Sequence, residues 1–281
     1  MANFSKKSFY LCPSFIDEMM KTPLTSIEIQ GLSTGYRTRG KEHVVSRRLT
    51  ASLLSGELTC LLGVNGAGKS TLLRTLSAFI PPLEGKVMLL GKEVQDYTPA
   101  ELSRRIGVVL TARMEQGGLT VTDMVGMGRS PYTGFWGTLS EHDKEVISQA
   151  IHLVKIEHLT CRTMDTLSDG ERQKVMIAKA LAQETPVIFL DEPTAFLDFP
   201  SKVELMQLLH QLAHDMEKTI LLSSHDLELT LQTADRLWLL SQEDLITGTP
   251  QELAQKGHLD RFFGLPGVCF DKSNLTYRLT L

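Results

Sequence analysis

Hydrophobic residues follow a strand-like pattern in the first part of the chain and a mixed pattern in the last part. From Ser26 to about Val94, short β-prone runs such as "SIEI", "LTCLLG" and "KVMLL" are separated by glycine-containing turns, with one helix between them. After residue 166, helices alternate with the runs "PVIFL" and "TILLSS". Such continuously apolar runs are typical of parallel strands buried on both faces. The pattern predicts an α/β core.

Helical patterns dominate between these two parts. "TPAELSRR" predicts a helix with Thr98 as N-cap, Pro99 at the first position and Glu101 completing a capping box. "SEHDKEVISQAIHLVKI" predicts an amphipathic helix. Its apolar stripe contains Val146, Ile147, Ala150, Ile151 and Val154.

The change of pattern predicts the domain organisation. Residues 26–97 and 166–255 are expected to form the core, and residues 98–165 a mostly helical subdomain inserted into it. Residues 1–25 have no clear periodicity and are expected to be a mobile N-terminal extension, and residues 256–281 a C-terminal extension.

Composition narrows the class of protein. The 281 residues are 42% hydrophobic and 22% charged, which is ordinary for a globular chain with a sizeable core. The formal net charge of -4 argues against nucleic-acid binding. The four cysteines form no C-x-x-C pair, and we find no apolar run that could span a bilayer. We therefore expect a protein of the cytosol with reduced thiols.

A glycine-rich octapeptide, "GVNGAGKS", begins at Gly63 and satisfies the pattern G-x-x-x-x-G-K-[ST]. Gly63, Gly66 and Gly68 let the backbone curl so that N–H groups face phosphates. Lys69 is expected to reach the β and γ phosphates, and Ser70 to ligate Mg²⁺. A strand-like run precedes the motif, and a helix that Pro81–Pro82 is expected to stop follows it. A fortuitous glycine-rich turn is the alternative.

Polar residues follow both buried runs of the last part. "VIFLDEP" ends in Asp191, which could hold Mg²⁺, and Glu192, which could polarise an attacking water as general base. "TILLSS" ends before His225, whose imidazole could contact a γ-phosphate. A solvated acidic turn and an unremarkable surface histidine are the alternatives.

With these motifs, "LSDGERQKVMIAKALAQ" makes the chain resemble ABC transporter ATPases over residues 26–250. "LSDGE" is similar to that family's signature, normally L-S-G-G-Q, and "AFLD" to its D-loop, with Asp198 in the conserved place. The resemblance implies a P-loop NTPase (RecA-like) core with an antiparallel β subdomain and the helical insertion. It also implies an adenine-stacking role for Tyr36. The nucleotide contacts that it implies are Tyr36, Gly63, Asn65, Gly66, Ala67, Gly68, Lys69, Ser70 and Thr71.

The helical segment "LTVTDMVGMGRSPYTGFWG" is similar to importer ATPases that handle iron–siderophore, haem or cobalamin. The shared stretch G-R-x-P is Gly128, Arg129, Ser130 and Pro131 here. A loop rich in turn formers is the alternative. An exporter ATPase and a nucleotide-sensing regulator with little turnover are the rival functions.

The family resemblance also implies partners and a mechanism. Two copies are expected to form a homodimer that sandwiches two ATP molecules with Mg²⁺. Lys69, Glu192 and His225 of one copy would act with Ser168 and Gly170 of the other. Two transmembrane permease subunits would be separate chains, and an extracytoplasmic substrate-binding protein would act indirectly. The chain would lie peripherally on the cytoplasmic face of the membrane, with no nucleic acid bound.

Three positions depart from the family pattern. Asp169 replaces a glycine of the signature, and its carboxylate is expected to face solvent. Glu171 has capping-box spacing from Ser168, so it is expected to hold its own helix start. Thr111 stands where the family usually has a Q-loop glutamine; we rank it above Gln116 as the functional substitute.

Overall fold

Two β-sheets organise the chain, and helices cover or connect them. The computed structural model describes residues 24–38, 40–110, 118–134, 137–264 and 268–279. The strands are β1 Thr25–Thr38, β2 Lys41–Leu54, β3 Leu58–Leu62, β4 Glu84–Leu89, β5 Lys92–Glu93, β6 Ile106–Val109, β7 Val187–Leu190, β8 Thr219–Ser223, β9 Arg236–Leu240, β10 Leu245–Gly248, β11 Val268–Asp271 and β12 Thr276–Leu279. The helices are α1 Lys69–Leu76, α2 Pro99–Ser103, α3 Val121–Gly126, α4 Glu141–Leu153, α5 Asp169–Ala182, α6 Phe199–Asp215, α7 Leu227–Thr233, α8 Pro250–Gln255 and α9 His258–Phe263.

The first sheet is antiparallel, with the strand order β2-β1-β4-β5. Ile27, Ile29 and Leu32 of β1 are fully buried and pack with the apolar face of helix α1. The sheet therefore covers one side of the core, and the predicted antiparallel β subdomain is confirmed.

The second sheet is mostly parallel, with the order β10-β9-β3-β8-β7-β6. Only β10 is antiparallel to its neighbour in this order. Every residue of β3, β7 and β8 is buried, as their continuously apolar sequences predicted. Because β3, β7 and β8 are parallel, the segments that follow them emerge at one edge of the sheet.

The helical segment packs around helix α5. Helices α3 and α4 contact α5, and the predicted stripe of α4 is buried. The boundary predicted at residue 98 lies too early, because β6 pairs with β7 and belongs to the core sheet. The run "IGVV" indicates a buried strand, but nothing local in it shows that its partner is β7 of the core.

Helix α1 is shorter than predicted. It ends at Leu76, before the expected stop at Pro81–Pro82. The Ser77 hydroxyl donates to the Leu73 carbonyl, and Ala78 adopts a left-handed conformation with φ 60°. This backbone reversal ends the helix before Ile80 can join its apolar face.

The C-terminal residues extend the core. Helices α8 and α9 contact each other, and the hairpin β11–β12 places Phe270 and Tyr277 against the main hydrophobic cluster. Residues 1–23 lie outside the described residues. Within the described ranges, no helix is both long and apolar enough to cross a membrane.

Candidate nucleotide site

The glycine-rich loop joins β3 to α1. Gly66 and Gly68 have φ values of 82° and 100°, in the left-handed region that side chains rarely adopt. Gly63 is required for another reason, because a Cβ there would lie 2.6 Å from the Leu240 carbonyl oxygen. Gly68 caps α1 without any side-chain acceptor, so the first-turn N–H groups of the helix are available to an anion.

Lys69 lies inside this loop and is only 6% exposed. Its Nζ donates to the Gly63 carbonyl oxygen at 2.8 Å. Burial lowers the pKa of the Lys69 ammonium, and the nearby carboxylates of Glu192 and Asp191 act in the opposite direction. A buried ammonium bound to a neutral carbonyl is ready to exchange that partner for a phosphate oxygen.

Asp191 and Glu192 follow β7 and are joined to two other elements by hydrogen bonds. Ser70 Oγ lies 3.2 Å from Asp191 Oδ1, and Ser223 Oγ, at the end of β8, donates to the same oxygen at 2.8 Å. Ser223 Oγ also accepts the Glu192 N–H at 2.8 Å. The fully buried Ser223 therefore fixes both acidic residues, and our sequence reasoning did not identify it.

His225 forms an exposed pair with Glu192. The distance between His225 Nε2 and Glu192 Oε1 is 2.6 Å, and the two side chains are 44% and 34% exposed. Asp226, the next residue, caps α7 and pairs with Lys202 at 3.0 Å. The histidine thus holds the carboxylate that was predicted as general base.

Ser70 and Asp191 fit a magnesium ion. A hydroxyl and a carboxylate are the hard oxygen ligands that Mg²⁺ prefers beside phosphates. Their oxygens lie 3.2 Å apart at the mouth of the glycine-rich loop.

Tyr36 extends from β1 to the first turn of α1. Its hydroxyl lies 2.9 Å from Thr71 Oγ1, and 37% of the residue is exposed. The ring is therefore placed beside the phosphate loop, where it could also contact a base. Adenine stacking by Tyr36 stays a prediction.

The signature residues begin helix α5. Ser168 is the N-cap: its hydroxyl accepts the Glu171 N–H, while Glu171 Oε2 accepts both the Ser168 N–H and the Ser168 hydroxyl, each at 2.8 Å. These bonds to Ser168 lower the pKa of Glu171. The expected capping role of Glu171 is confirmed. Asp169 is half-buried, so its orientation toward solvent stays a prediction.

Residues of the predicted D-loop adjoin the signature. Asp198 caps α6 by accepting the Ser201 N–H at 3.1 Å, and hydrogen bonds from the Ser201 hydroxyl and then from this N–H lower the pKa of its carboxyl. A Cβ at Gly170 would lie 3.4 Å from Ser201 Oγ, so α5 and α6 begin side by side. Phe196 and Phe199, on either side of Asp198, are 76% and 70% exposed.

The G-R-x-P stretch has a structural explanation. Arg129 is 2% exposed and donates to Asp143, to the Ala182 carbonyl and to Glu184 at 2.8, 2.8 and 2.6 Å. Hydrogen bonds from Ser140, and then the Arg129 guanidinium, lower the pKa of Asp143 to about 2. Gly128 is needed because a Cβ there would lie 2.3 Å from the Lys179 carbonyl oxygen. The stretch therefore clamps the helical segment onto the end of α5.

Two predicted residues have no described position. Thr111 and Gln116 lie outside the described residues, between β6 and α3. Their ranking in the Q-loop stays a prediction.

Comparison with known proteins settles the family. The sequence profile described as ABC transporter matches residues 46–195, which is more than half of the chain. The chain belongs to the ABC transporter family. The predicted P-loop NTPase fold and the class of ATPase subunit are thereby confirmed.

Full-length ABC transporter relatives agree with this assignment. An uncharacterized ABC transporter ATP-binding protein of Methanocaldococcus jannaschii is 40% identical over 247 residues, 88% of this chain and 84% of the relative. The ferric enterobactin transport ATP-binding protein of Escherichia coli is 36% identical over 241 residues, 85% of this chain and 88% of the relative. An inward-facing structure assigned to a metal-chelate type ABC transporter superposes with a TM-score of 0.75 at 28% identity, covering 91% and 96% of the two chains.

Proposed function

We propose that this chain binds and hydrolyses ATP to power an importer for an iron complex (siderophore or haem) or cobalamin. The observation that carries the ATPase activity is the connected set Ser70–Asp191–Ser223–Glu192–His225 at the mouth of the phosphate loop. The substrate class is supported by the similarity to the ferric enterobactin transport protein and to the metal-chelate type transporter.

Each residue of the set has a chemical role in this proposal. The buried Lys69 exchanges the Gly63 carbonyl for the β and γ phosphates, and the free N–H groups of the α1 terminus surround them. Ser70 and Asp191 would hold Mg²⁺, which would supply charge neutralisation on the phosphates. Glu192 orients and polarises the attacking water, and His225 positions Glu192 before turning to the γ-phosphate.

A second copy of the chain would complete the site. Ser168 and Gly170 of the partner copy, at the N-terminal end of its helix α5, would face the γ-phosphate. The exposed Phe196 and Phe199, next to the signature, would be covered by the same association. Because the Ser168 hydroxyl already donates to Glu171, closure of the dimer requires this hydroxyl to change its acceptor.

The remaining partners follow from the importer assignment. Two transmembrane permease subunits would dock this chain to the cytoplasmic face of a membrane, and a substrate-binding protein on the other side would deliver the cargo. Closure on ATP and opening after hydrolysis would alternate the access of the permeases.

The decisive test of the ATPase mechanism is Glu192→Gln. We expect turnover to fall about 10²- to 10⁴-fold, the usual contribution of a general base, and an ATP-bound dimer to accumulate in size-exclusion chromatography. Glu252→Gln, in the capping box of α8, is the matched control and should leave both measurements unchanged. An unchanged low rate in Glu192→Gln would instead favour a nucleotide-sensing regulator.

The substrate class needs a separate experiment. The chain is purified with its permeases in lipid nanodiscs, and ATPase activity is measured with binding protein loaded with ferric siderophore, haem or cobalamin. One of these should stimulate turnover above the unloaded binding protein. Stimulation by none of the three would overturn the substrate assignment while leaving the ATPase assignment intact.

A further inference from the structure

Three side chains that can bind a metal converge at the edge of the core sheet opposite the phosphate loop. His210 and His214 lie one turn apart near the end of α6, and Asp235 directly precedes β9. Their ligand atoms all lie within 4.8 Å of one another. Because β3 runs from this edge to the phosphate loop, its five residues separate the two sites by roughly 16 Å.

The geometry points to a binding site for a divalent transition metal ion, with Zn²⁺ as its type, formed by His210, His214 and Asp235. Two imidazoles and a carboxylate are a donor set for zinc and its neighbours, whereas Mg²⁺ favours oxygen ligands alone. Three protein ligands would leave a fourth position for water.

Hydrogen bonds orient two of the three ligands. The Leu58 N–H donates to Asp235 Oδ2 at 2.8 Å, which directs Oδ1 toward α6. His214 Nδ1 lies 3.0 Å from the His210 carbonyl oxygen and 3.2 Å from His210 Nδ1; in the neutral tautomer that donates to the carbonyl, the lone pair is on Nε2. Such bonds from outside the ligand shell fix the tautomer and the rotamer of metal ligands.

The tautomer of His214 decides whether a cation is needed beside Asp235. His214 Nε2 and Asp235 Oδ1 lie 3.2 Å apart, and in the tautomer that carries its proton on Nδ1 both atoms are acceptors, so a cation would join them. Tetrahedral zinc with bonds of about 2.1 Å separates its ligands by roughly 3.4 Å. A proton on His214 would satisfy the same pair, and this is the competing explanation that the experiment must separate.

His210 distinguishes the metal from the proton. Its ring centroid lies 4.0 Å from that of His214, and it is exposed, so a small rotation brings it to the shared ion. A proton needs only the pair His214–Asp235, whereas a metal gains a third ligand from His210. Bound metal would cross-link the end of α6 to the start of β9.

The test is calorimetric titration of untagged, nucleotide-free protein with ZnCl₂ in excess MgCl₂. We expect one site per chain that His210→Gln weakens by more than about tenfold, since loss of even an outer partner costs that much. Co²⁺ should give a tetrahedral visible spectrum with the wild type and lose it with His210→Gln. His152→Gln, which alters another exposed histidine paired with a carboxylate, is the matched control and should bind as the wild type does.

Two further measurements distinguish a loss of zinc binding from misfolding and from a defect at the nucleotide site. His210→Gln should retain wild-type thermal stability without zinc and wild-type Mg²⁺-dependent ATPase activity, because His210 touches neither core nor nucleotide. Zn²⁺ should raise the melting temperature of the wild type and of His152→Gln, and raise that of His210→Gln much less. Equal zinc affinity of wild type and His210→Gln would overturn the proposal and leave His214 and Asp235 as a hydrogen-bonded pair.

Discussion

Two charged clusters of this molecule differ in how far their side chains are buried and in how firmly hydrogen bonds hold them. The Arg129 cluster, with Asp143 and Glu184, is centred on a guanidinium that is 2% exposed and bonded to three oxygen-bearing groups. The Glu192 cluster lies at the open edge of the sheet, where Glu192 and His225 keep about a third or more of their side-chain surface in solvent.

This difference distinguishes charged residues that stabilise the fold from charged residues that act in catalysis. A buried guanidinium bonded to groups of its own protein is out of reach of a ligand, so its loss is expected to appear as instability. An exposed pair whose atoms can change partners contributes little stability, so its loss is expected to appear in turnover. Sequence alone assigned Glu192 the role of general base, but it assigned Arg129 no structural role.

The largest expected effect on stability comes from Arg129→Met. It leaves Asp143 buried without its cation, so the free energy of unfolding should fall by about 3–5 kcal/mol in urea denaturation. Lys144→Met is the control, because the Lys144–Glu141 pair is 58% and 86% exposed and its loss should cost under about 1 kcal/mol. Equal effects of the two variants would remove the distinction between the clusters.

A smaller stability effect with a specific loss of turnover is expected for Ser223→Ala. The change leaves the Glu192 N–H without its acceptor, so the free energy of unfolding should fall by about 1–3 kcal/mol. The ATPase rate should fall by roughly tenfold or more, because Glu192 loses the group that positions it. Thr185→Val, which removes a buried hydroxyl at the opposite edge of the sheet, should lose similar stability at wild-type turnover. If both variants kept full turnover, Ser223 would be only structural.

Helix caps provide a comparison at about 1 kcal/mol. Ser168→Ala and Thr249→Ala each remove the N-cap of a capping box and should lower the free energy of unfolding by about that amount. Only Ser168→Ala should also weaken the ATP-dependent dimer, as measured by sedimentation. Equal dimerisation of the two would show that the Ser168 hydroxyl serves its own helix alone.

The smallest expected effect is that of Glu171→Gln. Glutamine preserves the capping box, so unfolding should change by less than about 0.5 kcal/mol. The lost charge should favour association around ATP, seen as a lower nucleotide concentration for half-maximal dimer formation. A higher concentration would mean that the carboxylate assists closure.

The sequence predicted the elements whose signals are local. The Ser168–Glu171 spacing gave the cap of α5, and the apolar stripe beginning at Val146 gave the buried face of α4. Ser223 was missed because its role depends on β7 and β8 lying side by side, which no local pattern encodes. The same holds for Asp235, which lies 21 residues beyond His214 yet shares a cluster with it.

Separation along the chain also explains why the start of the helical subdomain was predicted wrongly. The run "IGVV" indicates a buried strand, but its place in the core sheet comes from pairing with β7, about 80 residues later. The structural role of Arg129 likewise depends on Asp143, Ala182 and Glu184, which lie 14 to 55 residues further along the chain.

The backbone conformation of Glu192 costs stability at the residue proposed as the general base. Its φ of 50° is one that glycine adopts freely and glutamate adopts at a cost of about 1 kcal/mol or more. Glu192→Gly would thus relieve torsional strain while deleting the general base, and the inactive protein should unfold at a higher temperature than the active one. Glu192 is therefore a residue at which torsional stability is given up for a side chain that the hydrolysis mechanism needs.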